Sequence, residues 1–442
     1  MTDQALERTL RRSVVEGVLY AIMAGLAEVY MIADAVRLGA STLEVVLVST
    51  LPLLVGSLGA LAAVRLIARR VRRRTITTVA VLVQAAVLLA LALGDALGAS
   101  SPTSLLVLAT AYHGVGQAAG TAWSSWMGDL VPVARRGSYF AHRNRFVHLA
   151  TFLGLLAGGL TLQAIEPAGV QDGSGGGGFA LLFGAACVFR LGSAWLLAAS
   201  HEPRFAGFAP GDGILRYMRS PDGAAARRIV PLAGAFLFAT AIASPLFAPF
   251  MLKVLGFDYG EYMTAQAVLV AVKLAALPAW GRAVDRHGPR QVYGLAAVLA
   301  AAVPLPWLWV SGVPAAVAAE GWSGLAWGAY EVSLFTLMLD SATPRQRPFL
   351  FAANSGVSGA GQVAGGLLGV LLLGPVGLGF RGVFLTSLCA RLALGLFAPR
   401  LLGPIGTKPP LGRRQLVLRL IGLRTNSGAN VRPVDEPIEP ER

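Results

Sequence analysis

From the N-terminus onward, the chain alternates long apolar stretches with short polar ones. Apolar runs lie at about 14–36, 43–66, 76–97, 103–128, 139–165 and 179–200, and again at about 227–252, 262–280, 291–312, 315–340, 347–373 and 379–400. A helix needs roughly 20 apolar residues to cross a bilayer, so the pattern predicts twelve transmembrane helices. A polar interruption rich in Gly and Pro separates the sixth run from the seventh. The predicted organisation is an N-terminal six-helix bundle over 1–200, a linker over 201–226, a C-terminal six-helix bundle over 227–402 and a tail over 403–442. In the tail, Leu416, Leu420 and Leu423 stand among Arg413, Arg414, Arg419 and Arg424. That spacing predicts a short helix lying on an anionic membrane surface, followed by a disordered end.

Composition narrows the class. Of 442 residues, 55% are hydrophobic and 14% charged, against about a quarter charged in a soluble domain. Mean hydropathy is +0.63. A soluble enzyme, a secreted disulfide scaffold and a disordered chain are excluded. Cys187 and Cys389 fall inside apolar runs and read as small buried hydrophobes. The net charge of +14 points to topology and not to a nucleic-acid partner, because of where the charge lies. Of the 37 Lys and Arg, thirty-one fall on one side of the runs. Three (Arg37, Lys253, Arg381) fall on the other, and Arg190, Lys273 and Arg391 lie within runs. The positive-inside rule then puts both termini in the cytoplasm. The expectation is an all-α, multi-pass protein of a bacterial inner membrane, monomeric, with the lipid bilayer as its surroundings.

The two halves echo each other. After the fourth run come Asp129-Leu130-Val131-Pro132, Arg135-Arg136, Tyr139-Phe140 and Asn144; after the tenth come Asp340, Pro344-Arg345, Arg347, Phe349-Leu350 and Asn354. Arg190 in the sixth run is matched by Arg391 in the twelfth. Repeated halves of six helices are a transporter architecture. Between the eighth and ninth runs stands Gly281-Arg282-Ala283-Val284-Asp285-Arg286-His287-Gly288-Pro289-Arg290. It fits the pattern G-x-x-x-D-R-x-G-x-R. With this loop, twelve runs and two halves, residues 10–402 resemble the major facilitator superfamily. The resemblance implies two six-helix bundles that rock about a central site, no enzymatic activity, and Gly281, Asp285, Arg286, Gly288 and Arg290 as a conformational loop. The first-half copy departs from the pattern: aligned on Arg74, the Asp position is Arg69 and the Gly position Arg72. Whether that loop gates or only anchors topology stays open. The fifth run holds Gly154, Gly158 and Gly159 without the proline of the family's antiporter pattern, and its glycines read as helix-packing positions.

No lysine is followed by Ser or Thr, so no phosphate-binding P-loop is encoded. No His or Cys pair has metal spacing. No cofactor or metal is expected, and the drive must come from an ion gradient or from the substrate's own. Charges within spans are functional candidates by default. Glu28 and His113 lie at matched depth on the first and fourth runs, which line the cavity in the family that the chain resembles. A carboxylate beside an imidazole exchanges a proton near neutral pH. These two, with Glu331, are the proton-coupling candidates. His113, Gln117, Thr121 and Ser124 recur on one helix face, and Ser323, Trp327 and Tyr330 lie near one face of the tenth run. Gln117, Thr121, Ser124, Ser323, Trp327 and Tyr330 are therefore the expected cavity lining. Lys273 is expected to pair with Glu331, Asp129 with Arg190, and Asp340 with Arg391. The expected function is proton-coupled secondary transport of a small molecule, and the apolar, aromatic lining favours efflux. An uptake symporter or uniporter, or a transporter-like sensor or scaffold without flux, are the alternatives.

Overall fold

The structure is a computed structural model describing residues 3–131, 136–165, 176–203, 214–343 and 346–402. Among the described residues there is no β-strand. The first run forms α1 (Asp3–Ala27) and α2 (Tyr30–Arg37), divided at Glu28 and Val29. The second to sixth runs form α3 (Thr42–Ala68), α4 (Arg73–Ala96), α5 (Pro102–Leu130), α6 (Arg136–Ile165) and α7 (Gly177–Ala198). A short helix, α8 (Ile214–Arg219), lies in the linker. The seventh run is α9 (Ala226–Ala241), a 3-10 turn at Ser244–Leu246, α10 (Phe247–Pro249) and a π turn at Phe250–Val254. The remaining runs form α11 (Tyr259–His287), α12 (Pro289–Ala301) with α13 (Pro304–Trp307), α14 (Val313–Asp340), α15 (Arg347–Leu373) and α16 (Gly379–Leu402).

Nine of these segments are long and apolar enough to cross a membrane. The fourth, ninth and tenth runs are not among them. The helices α5 and α14 are long enough, at 29 and 28 residues, but they carry the polar stripes. The ninth run is broken at Ala302–Val303, ahead of Pro304 and Pro306. Proline supplies no N–H to continue a helix, which also accounts for the break in the seventh run at Pro245 and Pro249. Where α3, α5 and α11 begin, capping boxes hold the first turn: Ser41 with Glu44, Ser101 with Ser104, Asp258 with Glu261.

The packing repeats helix for helix. In the first half α1 packs on α6, α3 on α5, and α4 on α7; in the second, α9 packs on α15, α11 on α14, and α12 on α16. Two crossings join the halves, α3 with α15 and α6 with α11, and they too are repeat mates. The closest approaches use glycine. A Cβ on Gly25 would overlap the backbone of Thr151 and Leu155. On Gly365 it would overlap the Phe238 carbonyl, and on Gly369 the Ile242 carbonyl. In the fifth run Gly158 abuts the Tyr30 ring and Gly159 the Met263 side chain, so these glycines serve helix contact.

The apolar core is not evenly spread. At the short-loop face a single cluster spans both halves, from Met23, Tyr30 and Val46 to Leu246, Phe250, Tyr262, Trp307 and Phe384. At the opposite, basic face the halves keep separate clusters. The larger one of the first half holds Leu10, Val81, Trp126, Leu130 and Leu197; that of the second holds Ile229, Tyr293, Tyr330, Leu337 and Leu402; a small one accompanies each. The halves are sealed together at one end and parted at the other. Of the two cysteines, Cys187 is buried and Cys389 exposed, which corrects the reading of both as core residues.

Candidate functional site

The first half carries a chain of buried polar groups that runs between its helices. Glu16 of α1 pairs with Arg143 of α6 at 3.3 Å, and the Arg143 guanidinium also lies over the Trp123 ring at 4.3 Å. Ser193 of α7 donates to Glu16 at 2.9 Å. Arg190, one turn earlier, donates to Ser193 Oγ at 3.3 Å and with two N–H groups to Gln84 Oε1 of α4. Gln84 Nε2 in turn donates to the Tyr112 carbonyl of α5 at 3.0 Å. The Tyr112 hydroxyl donates to Glu28 Oε1 at 2.9 Å, and the His113 ring stands edge-on to the Tyr112 ring at 5.0 Å. Glu28 sits where α1 gives way to α2, within electrostatic reach of His113. Glu28 and His113 are thus brought together, with Tyr112 as the hydrogen-bonding group between the helices. Sequence reasoning missed Glu16, Gln84 and Tyr112, and it counted Arg143 as a loop charge.

In the second half, Lys273 Nζ lies 2.6 Å from Glu331 Oε2 and 2.7 Å from Oε1. Gly324 and Gly328 let α11 lie close on α14 here: a Cβ on Gly328 would meet the Lys273 Cγ at 3.6 Å. The Trp280 indole donates to the Leu325 carbonyl at 3.1 Å, which fixes the register. From the other half, the exposed His148 of α6 lies within electrostatic reach of both Lys273 and Glu331. The pair therefore looks onto the space between the halves. Sequence reasoning missed His148, although Asn144, Arg145 and Thr151 stand at helical spacing from it.

The expected cavity lining divides. Gln117 and Ser124 are exposed and Thr121 partly so, with Thr121 Oγ1 donating to the Gln117 carbonyl at 2.8 Å. Trp327 is half-buried, edge-on to Tyr330. Ser323 and Tyr330 are buried, which corrects their placement in the lining. Ser323 donates back to Ala319 at 3.0 Å, and the Tyr330 ring stacks on Phe236 and contacts Tyr293. The α14 face that carries Glu331 turns them into the bundle.

The ion pairs Asp129–Arg190 and Asp340–Arg391 do not form. Asp129, at the basic end of α5, pairs instead with Arg73, which also binds Glu202 at 3.2 Å and the Ser125 carbonyl at 2.9 Å. Depth is the reason. Arg73 opens α4 level with Asp129, whereas Arg190 lies eight residues inside the end of α7, about 12 Å deep at 1.5 Å per residue. Arg391 is buried and donates to the Thr240 carbonyl at 2.9 Å, the Ala300 carbonyl at 3.5 Å and Ser387 Oγ at 2.9 Å. Thr240 and Ala300 are the penultimate residues of α9 and α12. Each carbonyl accepts a turn N–H, Thr240 from Ala243 at 3.2 Å and Ala300 from Val303 at 3.3 Å, and has a second lone pair that a donor can satisfy away from water. The guanidinium does so at two helix ends whose dipoles favour a cation. Asp340 is exposed and makes no ion pair among the described residues.

The conformational loop is compact. Gly288 has φ +87° and serves as the last cap of α11 and the first of α12, a backbone region open to glycine. Arg286 and His287 lie in the last turn of α11, Gly281 has open space at its Cβ position, and Arg290 opens α12. The side chain of Asp285 and the amphipathic segment at 413–424 lie outside the described residues. In the first-half loop the positive φ falls on Arg70, at 65°, so that turn is built differently.

Residues 229–427 match the sequence model described as Major Facilitator Superfamily, and the first half repeats the packing of that second half. Over that second half the chain is similar to the Major Facilitator Superfamily. Among solved structures, a bacterial homologue of the human lysosomal transporter Spinster, inward-facing and occupied, is similar over 91% of this chain and 97% of its own, with 16% identity and a TM-score of 0.66. A POT family transporter in complex with 5-aminolevulinic acid has a TM-score of 0.69 at 12% identity, over 89% and 96%. A D-xylose–proton symporter has a TM-score of 0.63 at 13% identity, over 88% and 96%. These likenesses are of fold. No curated protein matches the sequence. With that match and, among the described residues, nine segments apt to cross a membrane, the chain is a multi-pass integral membrane protein. It is not an enzyme, and its family and fold support secondary transport.

Proposed function

We propose that the chain is a proton-coupled secondary transporter of a small molecule, working as a monomer in a bacterial inner membrane by alternating access, with efflux favoured over uptake. The observation that carries this reading is the uneven core: one apolar cluster closes the short-loop face across both halves, while at the basic face no cluster is shared between them. With the basic face in the cytoplasm, and the termini with it, this is an inward-facing state. Glu28 with His113 in the first half, and Glu331 in the second, are the proton-binding groups. Gln117, Thr121, Ser124 and Trp327 line the substrate path, and the intact loop at Gly281, Asp285, Arg286, Gly288 and Arg290 changes with the state. The half-buried tryptophan supports an amphipathic substrate and hence efflux.

The test is uptake by proteoliposomes across a compound panel, with and without a pH gradient. Gradient-driven flux of at least one compound is expected. Glu28→Gln abolishes it while substrate exchange continues. Binding without flux would replace this reading with a sensor, and full gradient coupling in Glu28→Gln would remove Glu28 from the proton site.

A further inference from the structure

Two ion pairs lie deep within the described spans, and they differ in exposure. Glu16–Arg143 is enclosed, with side chains 7% and 11% exposed. Lys273–Glu331 is open, at 28% and 53%. A charged pair open at mid-span faces a water-filled path and not lipid, and the reach of His148 from the other half says which path. The choice of cation is also unusual for this chain, in which lysines number three among 37 basic residues. Arginine binds a carboxylate with a rigid two-pronged fork, whereas lysine is a point charge on a flexible stem. A lysine pair is thus easier to open.

We propose that the Lys273–Glu331 pair is the docking point for a zwitterionic substrate, a compact carboxylate and ammonium on an apolar body. The inference rests on reading the space between the halves as the substrate path. A ligand bearing only a carboxylate takes Lys273 and strands Glu331; one bearing only an amine strands Lys273. Either leaves an unpaired charge at mid-span, so the pair itself discriminates against both. A zwitterion meets Lys273 with its carboxylate and Glu331 with its ammonium, and every charge keeps a partner. His148 supplies a second group for the ligand carboxylate from the opposite half, so the bound ligand touches both halves, as a substrate that biases their rocking must. The half-buried rings of Trp280 and Trp327 lie on the same two helices and offer the apolar body a surface.

The experiment uses the purified full chain and two matched trios. One is phenylalanine, 3-phenylpropionate and phenethylamine; the other is leucine, 4-methylpentanoate and isoamylamine. Each trio keeps one body and removes one charge at a time. Affinity is read by calorimetry and by the shift in melting temperature. The zwitterion of at least one trio is expected to bind at least tenfold more tightly than either of its one-charge analogues. The double variant K273Q/E331Q leaves no stranded charge and should melt near the parent while losing that preference. Equal or tighter binding of a one-charge analogue in both trios, no binding by either zwitterion, or a preference that survives in K273Q/E331Q would each overturn the proposal. Proton-driven flux is scored separately: its absence with the zwitterion preference intact fails the coupling reading and leaves this one standing.

Discussion

At the scale of single residues, the two repeat-matched arginines, Arg190 and Arg391, are held by uncharged partners. Arg190 is held by Gln84, and its guanidinium is otherwise near Ser193 and the Tyr20 ring. Gln84→Ala should therefore lower stability by about 2 kcal/mol, the scale of a hydrogen bond to a charged group, whereas Gln84→Glu should keep the parent melting temperature or raise it. Melting in detergent, followed by tryptophan fluorescence, separates the two. Arg70 is a second case. A non-glycine residue at φ 65° is strained by roughly 1 kcal/mol, so Arg70→Gly should raise the melting temperature. An unchanged or lower one means that the Arg70 side chain contributes more than its backbone costs. Neither role was legible in the sequence. The repeat correctly paired Arg190 with Arg391 as equivalent positions, but equivalence of position says nothing about partner. Acids were sought because charges attract, whereas at that depth the available acceptors are an amide and two helix-end carbonyls.

At the scale of helices, the apolar runs were readable because each must satisfy its own backbone in lipid; nine of them are long and apolar enough to cross a membrane among the described residues, and the chain breaks within runs at Glu28–Val29, Pro245 and Pro304. The glycine series was readable as packing, though not which glycine meets which backbone. The structure makes that distinction, and mutation can check it. Gly365 faces the Phe238 carbonyl, while the Cβ position of Gly356 is open. Gly365→Val should destabilise by about 3 kcal/mol through overpacking and reduce the monodisperse fraction on size-exclusion chromatography. Gly356→Ala on the same helix should be neutral or stabilising by roughly 0.5–1 kcal/mol. Equal behaviour of the two would mean that α15 does not lie on α9 as described. The open face of α5 that carries Gln117, Thr121 and Ser124 was legible as a polar stripe on an apolar helix. Ser323 and Tyr330 shared a face with Glu331 only loosely, and a helix of 28 residues turns such near neighbours into separate surroundings.

At the scale of the whole molecule, the sealed short-loop face predicts one-sided access. In a background lacking Cys187 and Cys389, Gln117→Cys should react with a membrane-impermeant maleimide in inverted vesicles and resist it in right-side-out ones. Faster labelling from the right-side-out direction would mean that the resting state opens the other way. Each half carries one mid-span ion pair that is neutral in itself, Glu16–Arg143 and Lys273–Glu331. A membrane potential does about 2.3 kcal/mol of work per 100 mV on each unit charge that crosses it. Pairs that are neutral in themselves give the voltage no handle, so as far as these pairs go the empty carrier should rock at a rate indifferent to potential. Voltage steps applied to a substrate-free preparation on a planar membrane should then draw no transient displacement current. Any steady current under a substrate gradient would be carried by what travels through the protein and not by the protein itself.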